Sequence, residues 1–205
     1  MESRRIEALV DGVFAIAMVL LVLQVPLPDL PAAPTPEAVI AALGALLPSV
    51  GSFALSFLIL GALWMGHHGQ FRHIKRVDRT LLWLNILLLL GVAFIPFVTV
   101  FLARYPLQPA ALVVYGGTLL LCGLLLFVHW GHAVGHGCVG DEVTPELAET
   151  IRERMSMGMV AYLLATIVGG FVPKVGLVLF ACVPFLYMLP SRIDATILEE
   201  AAIEE

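Results

Sequence analysis

The chain reads as an all-α, polytopic membrane protein, and three observations predict that class. Sixty percent of its 205 residues are hydrophobic. Only 13% are charged, about half the fraction of an ordinary soluble domain. The charges are bunched between apolar runs of about 18 residues or more, the length a helix needs to cross hydrocarbon. A soluble protein of this size could bury one such helix, but not five or six.

Six helices are expected, at about 6–26, 37–66, 80–102, 109–132, 151–172 and 174–190, in a single membrane domain over 1–205. The first carries the run Val13 to Val25, with Gln24 its one strongly polar member after Asp11. Pro26, Pro28, Pro31, Pro34 and Pro36 then form a stiff loop that cannot be helix interior. Thr35 is placed to cap the second helix, with Pro36 at its first position and Glu37 in its first turn. Pro48 is expected to kink that helix. The third holds Asn85 and Pro96 within LLWLNILLLLGVAFIPF, and the core of the fourth is ALVVYGGTLLLCGLLLFVHW. A polar loop over about 135–149 leads into the fifth. Pro173 and Lys174 make a tight turn into a short sixth span.

Loop charges predict the orientation. Arg4 and Arg5, then Arg72, Lys75, Arg76 and Arg79, then Arg152 and Arg154, and finally Arg192 fall on one side. The other side has only Arg104 and Lys174. Both termini are therefore expected in the cytoplasm, in a cell inner or plasma membrane. Asp11 and Gly12 interrupt the front of the first run and no small-residue cleavage site ends it, so it is read as a span and not as a signal peptide.

Composition excludes several function classes. The net charge of −5 comes mainly from Asp141 to Glu153 and from Glu199 to Glu205, and no dense basic stripe points to nucleic acid. Cys122, Cys138 and Cys182 are spread out and form no CxxC pair. The sequence contains no HExxH, Walker A, GxSxG or strand-borne GxGxxG motif, so neither an enzyme nor a cofactor is expected. His129, His132 and His136 recur at i, i+3 and i+7, a spacing that would share a face if the helix ran on to Gly137. With Gly131, Gly135 and Gly137 among them and no carboxylate in the stripe, no metal site is assigned. Asn85, inside a span, needs a partner for its amide, and an interhelical hydrogen bond supplies it more simply than an ion would.

The first helix carries the most information. Arg5, Glu7 and Asp11 sit at its boundary, where ionisable groups cap the helix end or face protein and water. Gly12, Ala15 and Ala17 permit close helix approach. Ile16, Leu20 and Leu23 share one face at i, i+4 and i+7. Every other face is also apolar, so periodicity leaves open a packing stripe or, around an axis, hydrophobic rings that gate by dewetting.

RIEALVDGVFAIAMVLLVLQV resembles the signature helix of the transmembrane protein 175 family, the potassium channels of lysosomes and their bacterial relatives. Arg5, Asp11 and Gly12 match the family pattern of Arg, three residues, then Phe-Ser-Asp-Gly. Leu9 stands for its Phe, Val10 for its Ser, and Val19 for a Thr further along. Ser52 to Phe97 is similar to the family's second and third helices, with Ser56, Trp64, His67, His68, Phe71, Asp78, Leu84, Asn85 and Pro96 at its distinctive positions. Together these stretches cover roughly the first half of the chain.

The resemblance implies a six-helix subunit without a P-loop filter, assembled as a homotetramer whose four first helices line a central pore. Ile16 then matches the narrow constriction, with Leu20 and Leu23 as further apolar rings and Val19 facing the pore beside them. Arg5, Asp11, Gly12, Ser56, Trp64, His67 and Asn85 would form the network that binds this helix to its neighbours. The partners implied are potassium and other monovalent cations and the lipid bilayer. Val19 offers no hydroxyl where the family has Thr, so only a weak preference for potassium over sodium is expected. Two other readings are open on the residues: a secondary cation or metal transporter, which needs inverted repeats or broken helices, and a non-transporting membrane scaffold.

Overall fold

The computed structural model describes residues 3–188. Seven α-helices form among them: α1 (Ser3–Leu23), α2 (Pro36–Ala45), α3 (Leu47–His73), α4 (Arg79–Arg104), α5 (Pro109–Gly135), α6 (Pro145–Phe171) and α7 (Pro173–Met188). Among the described residues the β-structure is an isolated bridge, Ile74 to Val139. Five of these helices (α1, α3, α4, α5 and α6) are long and apolar enough to cross a membrane, so the chain is a multi-pass membrane protein. The last residues expected in the sixth span, together with Arg192 and the acidic tail, lie outside the described residues.

Side-chain caps set three of the helix starts. Thr35 Oγ1 accepts from the Ala38 N–H at 3.3 Å, with Pro36 opening α2. Asp78 Oδ1 accepts from the Leu81 N–H at 2.8 Å at the head of α4. Thr144 Oγ1 accepts from the Leu147 N–H at 3.2 Å at the head of α6, where Pro145 again supplies a residue that needs no helical N–H partner. The α6 cap corrects the expected start near 151: its first turns carry Glu146, Glu149, Arg152 and Glu153, and this charged stretch is helical, not loop.

The expected helix over 37–66 is two helices, broken at Leu46. Pro48 has no N–H for the Gly44 carbonyl and its ring crowds that group, which separates α2 from α3 two residues before Pro48. α2 buries none of its residues. Conversely, α3 runs on to His73 and α5 to Gly135, both beyond their expected ends. α5 closes on a Schellman motif: Gly137 takes φ 61°, its N–H reaches Val134 O, and the Cys138 N–H reaches Ala133 O at 2.9 Å. Only a residue without Cβ enters that left-handed conformation readily.

α1 packs mainly on α3 and α4, while α4, α5, α6 and α7 follow one another as neighbours and α7 returns to α3. The α6–α7 hairpin needs Gly169 against Gly176, because a Cβ on Gly176 would fall onto the Gly169 backbone. A continuous core joins these helices, and their outward faces are apolar as well, as lipid requires.

Candidate pore helix and its supporting contacts

α1 is divided lengthwise. Val10, Phe14, Ala17 and Leu21 are 1–2% exposed and recur at helical spacing against α3 and α4. On the opposite side Ile16 is 61% exposed, Val19 59%, Leu20 41% and Leu23 72%. Leu9 and Gly12 continue this open face toward the helix start, and nothing lies within 4 Å of a Cβ built on Gly12. At 1.5 Å per residue the ridge from Ile16 to Leu23 is about 10 Å long. It contains no polar side chain.

The side chains expected to support α1 separate into three groups. Near its head, Trp64 Nε1 donates to Asp11 Oδ1 at 2.8 Å, and the indole stacks on His68 with ring centroids 5.4 Å apart. Deeper in the bundle, buried His67 and Asn85 meet at 2.9 Å between Nε2 and Oδ1. With the amide oxygen as acceptor, the imidazole hydrogen is on Nε2. Ser56 belongs to a third, wholly buried group: its Oγ lies 2.9 Å from Tyr115 Oη and 2.8 Å from Thr99 Oγ1. Thr99 also reaches Ile95 O at 2.8 Å, so its single hydroxyl hydrogen has two acceptors. Arg5 is exposed in the first turns of α1.

Several contributors are not among the expected residues. Gln70 is buried and ties three helices: its Oε1 accepts from His129 Nδ1 at 3.0 Å, while its Nε2 donates to Leu126 O at 3.1 Å and to Met155 Sδ at 2.9 Å. Phe71, singled out in the sequence only as a family-distinctive position, stacks on both His67 and His129, at 4.5 and 5.5 Å, with the two imidazoles 6.0 Å apart. The signal available in the sequence was a lone Gln, Thr or Tyr inside an apolar run, which announces a need for a partner without naming it.

The three spaced histidines do not share a site. His129 turns inward to Gln70. His132 Nε2 donates to Asp78 Oδ2 at 2.6 Å, and His136, at the helix end, stacks on His132 at 3.9 Å. No group of three metal-ligating side chains occurs among the described residues. Asp78 thereby joins α5 to α4, and the His132 hydrogen bond, then the Leu81 N–H, hold its carboxyl below the ordinary range. Beside it the loops after α3 and α5 are zipped together. Lys75 and Arg76 N–H groups converge on Cys138 O at 2.9 and 3.1 Å, the Gly140 N–H meets His73 O, and Lys75 Nζ contacts Glu142 at 2.9 Å.

Residues 5–96 match the family described as endosomal/lysosomal potassium channel TMEM175. A potassium channel of Streptomyces collinus is 38% identical over 166 residues, spanning 78% of this chain and 79% of that one. The chain belongs to the TMEM175 family. It is related to an ion channel and not to an enzyme. The crystal structure of a lysosomal potassium-selective TMEM175 homologue from Chamaesiphon minutus superposes with a TM-score of 0.79, at 28% identity, covering 91% of this chain and 96% of that one. The mouse endosomal/lysosomal proton channel TMEM175 is 35% identical over 101 residues, 47% of this chain but 20% of the mouse protein. The family match falls in the first half of the chain, where the α1 ridge and the Asp11, Trp64, His67 and Asn85 contacts lie.

Proposed function

We propose that this TMEM175-family chain is a potassium-permeable cation channel of a bacterial plasma membrane, conducting passively through a pore lined by α1. The observation that carries the reading is the open ridge of Ile16, Val19, Leu20 and Leu23 on a helix whose other side is fully packed. The Streptomyces relative and the Chamaesiphon structure, both potassium channels, support the ion class. Four copies of α1 around an axis turn the ridge into stacked apolar rings about 10 Å deep. A cation there sheds part of its water, and an empty ring excludes water and blocks conduction.

In this reading α7 completes six spans, and the Lys and Arg around the α3–α4 connection and in the first turns of α6 face the cytoplasm together with both termini. Asp11 and Trp64 hold α1 directly, His67, Asn85 and Ser56 fix the helices it packs on, and Arg5 and Gly12 stand exposed near its head. Val19 brings no hydroxyl to the pore, so potassium is preferred over sodium only weakly.

Purified protein in planar bilayers tests this. Current is expected with a reversal potential displaced modestly toward that of potassium in a potassium–sodium gradient. Replacing Ile16 with Asn puts an amide into the narrowest ring and is expected to raise conductance. Absence of current at every voltage and pH, or a current indifferent to Ile16, would defeat the proposal. Saturable flux coupled to a second ion would instead indicate a transporter.

A further inference from the structure

A groove of about 610 Å³ opens between the end of α5 and the start of α6. It lies on helices that pack away from α1, so in an assembly built around α1 it faces the surrounding bilayer. That placement rests on the pore reading above. Its floor is made by Gly131 and Gly135, one turn apart on α5, and a Cβ at either would have nothing within 4 Å. Phe127 and Val128 form the apolar wall one turn deeper, toward the membrane interior. Trp130 Nε1 donates to Ala148 O at 3.1 Å and pins the first turns of α6 alongside.

Two opposite charges on α6 line the same groove, and their order is specific. Arg152 lies over the Phe127 ring, 5.5 Å from its centroid. Glu149, three residues nearer the helix start, stands further out by about 4.5 Å. Their mutual contact is long, 3.6 Å, between side chains 57% and 59% exposed, so it is readily parted. A cation nearer the hydrocarbon with an anion outside it mirrors a zwitterionic lipid head, whose phosphate is the deeper group and whose amine is the outer one.

We propose that this groove binds an ethanolamine glycerophospholipid, with the phosphate on Arg152, the ammonium on Glu149, the head over Gly131 and Gly135, and the acyl chains descending past Phe127 and Val128. The primary ammonium donates hydrogen bonds to the Glu149 carboxylate. A choline head has the same charges but no N–H to donate, and a glycerol head has no cation at all. The site therefore discriminates by the amine and not by net charge.

The test is native mass spectrometry of the intact protein with equal amounts of phosphatidylethanolamine and phosphatidylcholine in one sample. The ethanolamine lipid is expected to be retained about fivefold over the choline lipid. Glu149→Met, an exposed change of similar length that leaves no acceptor, is expected to bring that ratio to about one, while Arg152→Gln weakens both lipids together. Gly131→Leu fills the floor and is expected to displace both. Equal retention by the unmodified protein, or a ratio unmoved by Glu149→Met, would overturn the proposal. So would a disulfide between subunits through Val128→Cys, because it would put a subunit interface on the groove. None of these readouts requires conduction, so failure here is distinct from failure of the channel reading.

Discussion

Trp64 of α3 holds the carboxylate of Asp11 on α1, its indole N–H donating across 2.8 Å between residues 53 positions apart. It is a polar tie on a helix whose packed side is otherwise apolar. Only the oxygen of Asp11 is required as acceptor, whereas the Trp64 N–H is the donor. Trp64→Phe therefore removes the bond while Asp11→Asn can keep it. With part of the pair exposed, the loss is about 1 kcal/mol. Trp64→Phe is expected to lower the melting temperature in detergent by a few degrees and Asp11→Asn by clearly less. Equal losses would mean that the negative charge, and not the hydrogen bond, is what α3 recognises.

The cluster of Ser56, Thr99 and Tyr115 joins α3, α4 and α5 through buried hydroxyls. Tyr115→Phe leaves the ring, and its edge contact with Phe180 at 5.4 Å, in place and deletes only the hydroxyl. Ser56 keeps Thr99, so the expected cost is about 1 kcal/mol. Thr99→Val removes the group that satisfies both Ser56 and Ile95 O, and Ile95 O is then left with its remaining helical partner. In a double-mutant cycle Tyr115→Phe with Thr99→Val is expected to be non-additive, measured by unfolding in denaturing detergent. Additive losses would show that the three hydroxyls act independently.

Asp78 makes acid sensitivity calculable in sign. Its folded carboxyl titrates below the ordinary value because His132 and the Leu81 N–H favour the charged form. Stability from this group is therefore present above the unfolded pKa, near 4, and is lost as pH falls through the lower folded value. Asn at this position still caps α4 but neither titrates nor attracts a charged imidazole. Thermal melts from pH 7 to pH 3 are expected to show the native protein ahead of Asp78→Asn at the neutral end, with that lead narrowing toward the acid end. The gap would persist to pH 3 if the advantage lay in packing alone.

The spans were legible because hydrocarbon demands long, uninterrupted apolar runs, and these leave little to interpret. Boundaries were legible where a cap or a proline announced them, as at Thr35 and Pro36. They were missed where a helix continues past the apolar stretch. Residues 145–150 are charged and helical, and α5 passes through Gly131 to Gly135. Pro48 signalled a disturbance, but whether a helix bends or breaks depends on packing, and α2 buries nothing that would hold it in line with α3. Partner choice was not legible for a different reason. In lipid both the packed and the open side of a helix are apolar, so Phe14 and Ile16 look alike in sequence although one is 1% and the other 61% exposed. His132 likewise pairs with Asp78, 54 positions away, and not with the histidine three residues before it.

Val19 offers the sharpest experiment on selectivity. It is 59% exposed on the open ridge of α1, one turn beyond Ile16, and it is isosteric with Thr. Val19→Thr would introduce a hydroxyl without changing volume, at a position where no packed neighbour must move. In a helix that hydroxyl can bond back to the carbonyl of Ala15 or Ile16, leaving its oxygen lone pairs toward the axis. Four such oxygens would form a polar layer between the apolar rings and replace part of a cation's lost hydration. The penalty for shedding water is smaller for potassium than for sodium, so a ring that compensates only partly helps potassium more. Reversal potentials in mixed gradients are expected to move toward potassium by a few-fold in permeability ratio, with single-channel conductance kept or raised. An unchanged ratio would mean that Val19 does not face the permeating ion, and the rotation of α1 about its axis would have to be reassigned.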